Sequence, residues 1–302
     1  MHSLLKRPIE RILSSSGVGW VTRRRVRGKR LILAYHGVIP DGAQPGGERT
    51  LFIAQRNFAA HLEMLAEVAD VAPLDQIDQD GDGRPRIAIT LDDAYRGAVC
   101  EGVAELVKRR LPATIFVAPG RLEGHVFWWD ALSSASGTMD RGVRDYALNT
   151  LAGSDERVRE WATRTALSIS DDVPDYARAA TRAELRAALA SPGITVGSHT
   201  WSHANLANLR LDEVISEVNR SRAWLKREFG GKFIDWLAYP YGLDSVAAQQ
   251  TVADASYAGA LRISGGWHDA ARVSPFARPR LNVPGGLSVA GLKTRMLGAV
   301  LA

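Results

Sequence analysis

The sequence predicts an α/β fold whose core is a parallel barrel rather than an open sheet. Short apolar runs alternate with helical patterns along most of the chain, and seven such repeats favour a closed barrel. Two of the runs end in groups typical of catalytic or metal sites, Asp92-Asp93 and the segment 199–203 (HTWSH). Because parallel strands end at a common rim, we expect these two groups to meet there.

Seven short apolar stretches, several of them rich in β-branched residues, predict the strands. The predicted strands are 31–36, 86–92, 113–118, 195–198, 234–239, 258–263 and 280–283. The stretches between them carry helical spacing, with plausible caps at Thr181 and Ser288 and helix breakers at Pro112 and Gly230-Gly231. The predicted helices are 57–69, 97–110, 181–190, 211–229, 244–253 and 289–301.

One region interrupts the alternation. About 75 residues separate the third core strand from the next, and they contain helical patterns over 155–169 and 181–190. We interpret residues 121–193 as a helical insertion that packs beside the barrel rim, not as a separate domain. Its aromatic cluster contains Trp128 and Trp129, which could stack on a sugar ring or fix the insertion to the core. The domains are therefore a basic N-terminal arm (1–28) and a barrel (29–302).

The composition is that of an ordinary soluble globular protein. Of 302 residues, 46% are apolar and 24% are charged, which is enough for one large domain. Cys100 is the only cysteine, so a disulfide framework and a thiolate metal cage are excluded; its apolar surroundings predict a buried thiol. The sequence contains no run of 18 apolar residues, and its N-terminus lacks a secretory signal pattern. We therefore expect a cytoplasmic location.

The positive charge is concentrated at the N-terminus. Residues 1–30 contain nine Lys or Arg and one acid, a net charge of +8, so the other residues sum to −3 against a total of +5. Apolar residues at helical spacing near Leu4 and Ile12 predict a short surface helix on anionic lipid at the inner face of the membrane. A solvated arm is the alternative. Nucleic acid is not an expected partner, because aromatic residues do not interleave the basic ones.

The strand 86–92 ends in two adjacent carboxylates. A chain that turns sharply there can direct neighbouring acids to one pocket in different roles, one binding a cation and the other accepting a proton. The alternative is a helix N-cap, since a helical pattern follows at 97–110.

The segment 199–203 follows another predicted strand and contains two histidines four residues apart. On a helical turn they would face the same side, and imidazole is a common ligand of zinc. Asp93 would supply a third ligand and leave a coordination position open. One carboxylate with two imidazoles suits Zn²⁺, with Co²⁺, Ni²⁺ or Fe²⁺ as alternatives.

Three ordered motifs resemble the polysaccharide deacetylase family, also called carbohydrate esterase family 4 or the NodB homology domain. They are 90–94 (TLDDA), 199–203 (HTWSH) and 238–242 (AYPYG), supported by 33–38 (LAYHGV) and 278–283 (RPRLNV). The resemblance covers roughly residues 30–285. It implies a distorted (β/α)7 barrel that carries the helical insertion after the third core strand. It also implies metal-dependent removal of an N-acyl group, usually N-acetyl, from an amino sugar.

The resemblance implies a role for each matching residue. Asp92 is the implied general base, and Asp93, His199 and His203 are the implied metal ligands. The backbone N–H of Tyr241 is the implied donor to the oxyanion.

Three departures from the family pattern matter. Ala94 stands where a glycine usually follows the two acids, which is feasible if its φ is negative. The arginine expected shortly before Tyr239 is missing, so we expect Arg280 to pair with Asp92 instead. The Leu-x-His motif that often gives the general acid is also missing. His36 is the first candidate for that role and His268 the second; His36 could alternatively be structural.

The substrate is less determined by the sequence. Trp201, Tyr241 and Trp267 are expected to line the acyl or sugar pocket. The absence of an export pattern and the basic segment favour a nucleotide-linked or lipid-linked amino sugar in surface-glycan biosynthesis, although polysaccharide is the common family substrate. Deformylation of a lipid-linked amino sugar is a related alternative. The rivals from other classes are a non-catalytic carbohydrate-binding barrel and a phosphoesterase.

Overall fold

The computed structural model describes residue 26 and residues 28–79, 83–133 and 137–301. Nearly all of the predicted basic arm, including its proposed surface helix, lies outside the described residues. Within the described residues, none of the helices combines the length and hydropathy needed to cross a bilayer.

The core is a closed barrel of seven parallel strands. The strands of the chain are β1 (Arg30–Tyr35), β2 (Gly37–Ile39), β3 (Phe52–Ala54), β4 (Asp70–Val71), β5 (Arg86–Leu91), β6 (Ala113–Val117), β7 (Ile194–Ser198), β8 (Phe233–Ala238), β9 (Gly259–Ile263) and β10 (Arg278–Asn282). The barrel order is β1-β10-β9-β8-β7-β6-β5, and β1 closes it by pairing with β5 as well. All seven predicted strands are confirmed, with ends displaced by one or two residues.

Strand composition explains the barrel. Every residue of β1 and β5 is buried, which is expected for parallel strands covered on both faces. Two small additions were not predicted: β4 extends the sheet beside the start of β5, and β2 pairs with β3 outside the barrel. Since all the barrel strands run in the same direction, their C-terminal ends form one rim.

Helices surround the barrel and fill the insertion. They are α1 (Gln55–Val68), α2 (Val103–Lys108), α3 (Trp128–Ala131), α4 (Arg141–Asn149), α5 (Asp155–Arg164), α6 (Arg182–Leu189), α7 (Leu211–Phe229), α8 (Val246–Asp254) and α9 (Val289–Leu301). The chain between β6 and β7 contains α3 to α6. The helices α3 and α4 were not predicted. A π-helical turn (Ala98–Gly102) precedes α2 where the sequence predicted a continuous helix.

Candidate active site

The two carboxylates that follow β5 are directed to different partners. The N–H of Asp92 donates to the Tyr35 carbonyl at 2.9 Å, which continues the ladder between β5 and β1. Asp93 and Ala94 then adopt φ values of 67° and 51°. The condition set for Ala94, a negative φ, is therefore not met: the chain turns through the left-handed region, which costs an alanine energy that a glycine would not lose. This turn separates the two acids.

The two histidines reach the same pocket from the end of β7. The N–H of His199 donates to the Val117 carbonyl at 2.8 Å, so this residue prolongs the strand. Thr200 and His203 then have φ values of 65° and 62°, and residues 199–205 form an irregular loop. The prediction of a helical turn is wrong here. The loop nevertheless directs both imidazoles to one point.

Asp93, His199 and His203 form a buried cluster. Asp93 Oδ1 lies 3.4 Å from His199 Nε2 and 3.0 Å from His203 Nε2. One potential ligand atom from each residue lies within 4.8 Å of those of the other two. Burial raises the pKa of Asp93, but the two imidazoles outweigh this effect and hold it well below its usual range. The carboxylate is therefore ionised.

The donor atoms of this cluster fit a divalent cation. His199 Nδ1 lies 2.7 Å from the Ala238 carbonyl, a contact in which Nδ1 carries the proton. Its Nε2, the nitrogen that faces Asp93, is then the atom that can offer a lone pair to a cation. Asp93 Oδ1 is buried without a hydrogen-bond partner among the described residues. A cation would satisfy this carboxylate oxygen and His199 Nε2, with His203 Nε2, 3.0 Å from the same oxygen, as the third donor atom.

A set of contacts fixes the loop that bears His203. Glu217 on α7 accepts hydrogen bonds from the N–H groups of Trp201 and Ser202, at 2.9 and 2.8 Å, and from the Ser202 hydroxyl at 2.7 Å. From the other side, the Gly120 N–H donates to the Trp201 carbonyl and the Arg121 guanidinium donates to the Ser202 carbonyl. These contacts stabilise a loop with two left-handed residues. Sequence patterns gave no signal for Glu217.

Asp92 forms a buried ion pair with Arg280, as predicted. The guanidinium of Arg280 donates to both carboxylate oxygens, at 2.7 and 2.8 Å, and also to the Thr90 hydroxyl at 3.0 Å. Arg280 is fully buried and Asp92 is 2% exposed. Burial raises the pKa of Asp92, but the charge and hydrogen bonds of Arg280 hold it below its usual value. Asp92 is thus ionised and lies beside, not within, the cluster of Asp93.

The insertion supplies the outer wall of the pocket. Tyr241, with φ of 60°, donates from its hydroxyl to the Gly153 carbonyl at 2.9 Å and accepts from Trp128 Nε1 at 3.0 Å. Gly153 has φ of 61°, and a Cβ there would lie 2.5 Å from the Tyr241 ring. Trp129 Nε1 donates to the Tyr95 hydroxyl at 2.7 Å. Trp128 and Trp129 are thus buried supports that also line the pocket; the sequence did not indicate Gly153.

These residues enclose a pocket of about 120 Å³. The described residues that line it are His36, Leu51, Asp92, Asp93, Trp128, Trp129, Arg144, His199, His203, Tyr241, Gly242, Ile263 and Asn282. His36 Nε2 lies 4.0 Å from Asp92 Oδ2. Burial lowers the pKa of His36, although Asp93 and Asp92 act in the opposite direction.

Three of the predicted site residues lie elsewhere. His268 exchanges backbone hydrogen bonds with Arg30, the first residue of β1, so it sits at the opposite end of the barrel from the rim. Its neighbour Trp267 packs on the core and donates to the Met296 carbonyl. The ring of Trp201 stacks against the Arg220 guanidinium on α7. The prediction that Trp201 and Trp267 line the pocket is therefore corrected, because their strand-end loops direct them outward or to the far end.

Comparison with known proteins gives one family. The model of a family described as polysaccharide deacetylase matches residues 79–260. No curated protein sequence matches the chain. Among solved structures, the Streptococcus pyogenes deacetylase PplD in complex with acetate is similar at 16% identity and a TM-score of 0.60, over 89% of this chain and 98% of that one. IcaB from Ammonifex degensii is similar at 17% identity and a TM-score of 0.58, over 91% and 97%.

A further solved structure is the BpsB deacetylase domain from Bordetella bronchiseptica. It is similar at 15% identity and a TM-score of 0.52, over 87% of this chain and 98% of that one. At these identities the structures show the fold, a (β/α)7 barrel.

Replacing Glu217 should weaken metal binding without removing a ligand. Glu217→Ala leaves two N–H groups and a hydroxyl of the 201–202 loop without their acceptor, so His203 is held less firmly. We expect about tenfold weaker Zn²⁺ affinity, as for other groups that orient ligands. Competition with a chromophoric chelator measures it. Glu213→Ala removes the same charge from the same helix and should have a much smaller effect. Equal affinities for the wild type and Glu217→Ala would show that the Glu217 contacts do not position His203.

The buried ion pair predicts a non-additive effect on stability. Arg280→Met leaves Asp92 charged, buried and unpaired, which should lower the free energy of unfolding by about 3–5 kcal/mol. Replacing both residues, Asp92→Leu with Arg280→Met, should recover most of that loss. Urea unfolding at neutral pH measures the wild type, each single variant and the double variant. Additive losses in the double variant would show that the pair is not coupled.

Proposed function

The chain belongs to the polysaccharide deacetylase family, and from that premise we propose that it is a metal-dependent hydrolase that removes an N-acyl group from an amino sugar. N-acetyl is the first choice of acyl group. The observation that carries the proposal is the division of labour between adjacent acids: Asp93 faces two imidazoles, while Asp92 remains ionised beside them.

Asp93, His199 and His203 would hold the cation, with Zn²⁺ as the first choice for one oxygen and two nitrogen ligands. When bound, such a cation supplies the charge that polarises an amide carbonyl and lowers the pKa of water. The proton of Nδ1 on the Ala238 carbonyl keeps the other nitrogen of His199 free for this role.

Asp92 would act as the general base. Its two oxygens are fixed by Arg280, so its remaining lone pairs are presented to the pocket in one orientation. Because its pKa is held below the usual value, the carboxylate is ready to accept a proton from the attacking water at neutral pH.

Tyr241 and His36 would complete the reaction. The backbone N–H of Tyr241 would donate to the oxyanion as the carbonyl carbon becomes tetrahedral. A proton must then reach the departing nitrogen, because an amide anion is a very poor leaving group. His36 lines the pocket beside Asp92 and is the candidate donor.

Surface-glycan biosynthesis is the setting we propose, with a polysaccharide, a glycolipid or a nucleotide-linked precursor as substrate. The basic residues within 1–30 support contact with an anionic membrane surface, where a lipid-linked precursor would be held. A formyl group is the alternative acyl group, since it is smaller than acetyl.

The proposal predicts opposite metal contents for two inactive variants. Asp92→Asn should lower turnover of acetylated amino sugars by at least about 10³-fold while retaining one equivalent of divalent cation, because the base is not a ligand. His199→Ala should lose both metal and turnover. Acetate release and elemental analysis measure the two properties. Near-normal turnover by Asp92→Asn would show that Asp92 is not the general base. A metal-loaded wild-type protein that releases no acyl group would refute the proposed hydrolase activity.

The two histidine candidates differ in their pH dependence. A general acid is needed in its protonated form, so the rate should fall as pH rises through its pKa, which burial lowers for His36. His36→Ala should lower kcat about 10²-fold and remove this alkaline limb of the kcat/KM profile. His268→Ala should leave the limb in place, because that residue lies at the far end of the barrel. An unchanged limb in His36→Ala would assign His36 a structural role.

A further inference from the structure

The pocket is too small to enclose a sugar. Its volume is about 120 Å³. An acyl group and the reacting water fit there, whereas pockets that enclose a whole ligand measure roughly 300 Å³ or more. The sugar that bears the acylamino group must therefore lie at the mouth. The residues that surround the mouth then determine which sugars are accepted.

Arg144 is the exposed residue among the described residues that line the pocket. Its guanidinium has neither an ion pair nor a side-chain hydrogen bond to any described residue. Four other arginines of the insertion form ion pairs: Arg141 with Asp145, Arg157 with Glu213, Arg159 with Asp155 and Arg182 with Glu123. Arg164 forms none with the described residues either, but it does not line the pocket. Arg144 therefore retains its full set of donors for another molecule.

The position of Arg144 is fixed by the helix that carries it. The Leu148 carbonyl at the end of α4 accepts hydrogen bonds from Asn205 Nδ2 and Asn208 Nδ2, at 3.1 and 3.0 Å. These asparagines come shortly after His203 in the chain, so α4 is attached to the segment that bears a proposed metal ligand. Leu148 is buried and lies one turn beyond Arg144 on the same face of α4. The helix thus keeps Arg144 on the pocket side, where it is one of the lining residues.

Among the described residues that line the pocket, the unpaired charge is the positive charge of Arg144. Of the described residues lining the pocket, Asp92 and Asp93 are the carboxylates, and each already has partners within the site: Arg280 for Asp92, and His199 with His203 for Asp93. An unpaired guanidinium at the opening of a small pocket suits a planar or tetrahedral oxyanion, which it can bind through two parallel hydrogen bonds.

We propose that Arg144 binds an anionic group, a phosphate ester or a carboxylate, carried by the substrate next to its acylamino sugar. This inference rests on the proposed function and narrows its substrate class. A neutral homopolymer of acetylated sugars would leave the guanidinium without a partner, whereas a phosphorylated or acidic sugar unit would supply one.

The experiment compares three probes on the metal-loaded protein: N-acetylglucosamine, N-acetylglucosamine 1-phosphate and N-acetylmuramic acid. The first is neutral, the second carries a phosphate and the third a carboxylate. In the wild type, kcat/KM should be about tenfold higher for a charged probe than for the neutral one, and this preference should decrease with added salt. Comparison of kcat/KM for the phosphate-bearing and the carboxylate-bearing probe shows which anion is preferred.

Arg144→Gln should lower kcat/KM for the preferred charged probe about tenfold more than for the neutral probe, and Arg144→Lys should restore part of the preference. Arg141→Gln is the matched control: it removes the same charge from the same helix, at a side chain that is 94% exposed and does not line the pocket. Its preference should equal that of the wild type. Equal effects of Arg144→Gln on charged and neutral probes, or the same loss in Arg141→Gln, would overturn the proposal.

Equilibrium binding separates this inference from the proposed function. The metal-loaded Asp92→Asn variant, with and without Arg144→Gln, is titrated with the same probes. Tighter binding of a charged probe that depends on Arg144 supports the anion site even if no probe is hydrolysed by the wild type. Hydrolysis of all three probes with no charge preference in rate or binding refutes the anion site and leaves the hydrolase intact.

Discussion

The site depends on keeping two adjacent buried carboxylates charged at the same time. Asp92 and Asp93 are 2% and 4% exposed, and two buried negative charges side by side would repel each other and lose hydration. The fold gives each its own positive partner: Arg280 for Asp92, and the imidazoles with the proposed cation for Asp93. The left-handed turn at Asp93 makes this division geometrically possible.

Backbone strain is concentrated where the chain turns into the pocket. Asp93, Ala94, Thr200, His203 and Tyr241 all have positive φ, and each such residue costs about 1–3 kcal/mol. The surrounding structure offsets this cost with specific contacts. Glu217 fixes the loop of His203, and Trp128 with the Gly153 carbonyl fixes Tyr241. The rigidity of the site therefore depends on the contacts that stabilise these turns, which come from α7 and from the insertion.

Local patterns predicted the barrel strands and the meeting of Asp93 with both histidines, because strand periodicity and the common rim follow from short sequence stretches. Most contacts between distant segments could not be predicted from local patterns. Glu217 accepts hydrogen bonds from backbone N–H groups and Gly153 accepts one through its backbone carbonyl, and such contacts produce no sequence motif. His268 was misassigned since a residue near a strand can lie at either end of the barrel. Cys100, expected to be buried, is exposed; it lies within the π-helical turn that the sequence did not predict.

The barrel and the insertion contribute different parts of the site. Every group proposed to take part in the chemistry comes from a barrel strand or from the loop that follows one, so closure of the sheet brings these groups to one rim. The insertion instead contributes Trp128, Trp129 and Arg144 to the pocket wall and mouth. Since the enclosed volume accommodates little beyond the reacting group, changes in the insertion can alter which sugar is bound without moving the strand ends. Substrate preference is therefore separable from the hydrolytic chemistry in this fold, and α4 is the element in which it should be sought.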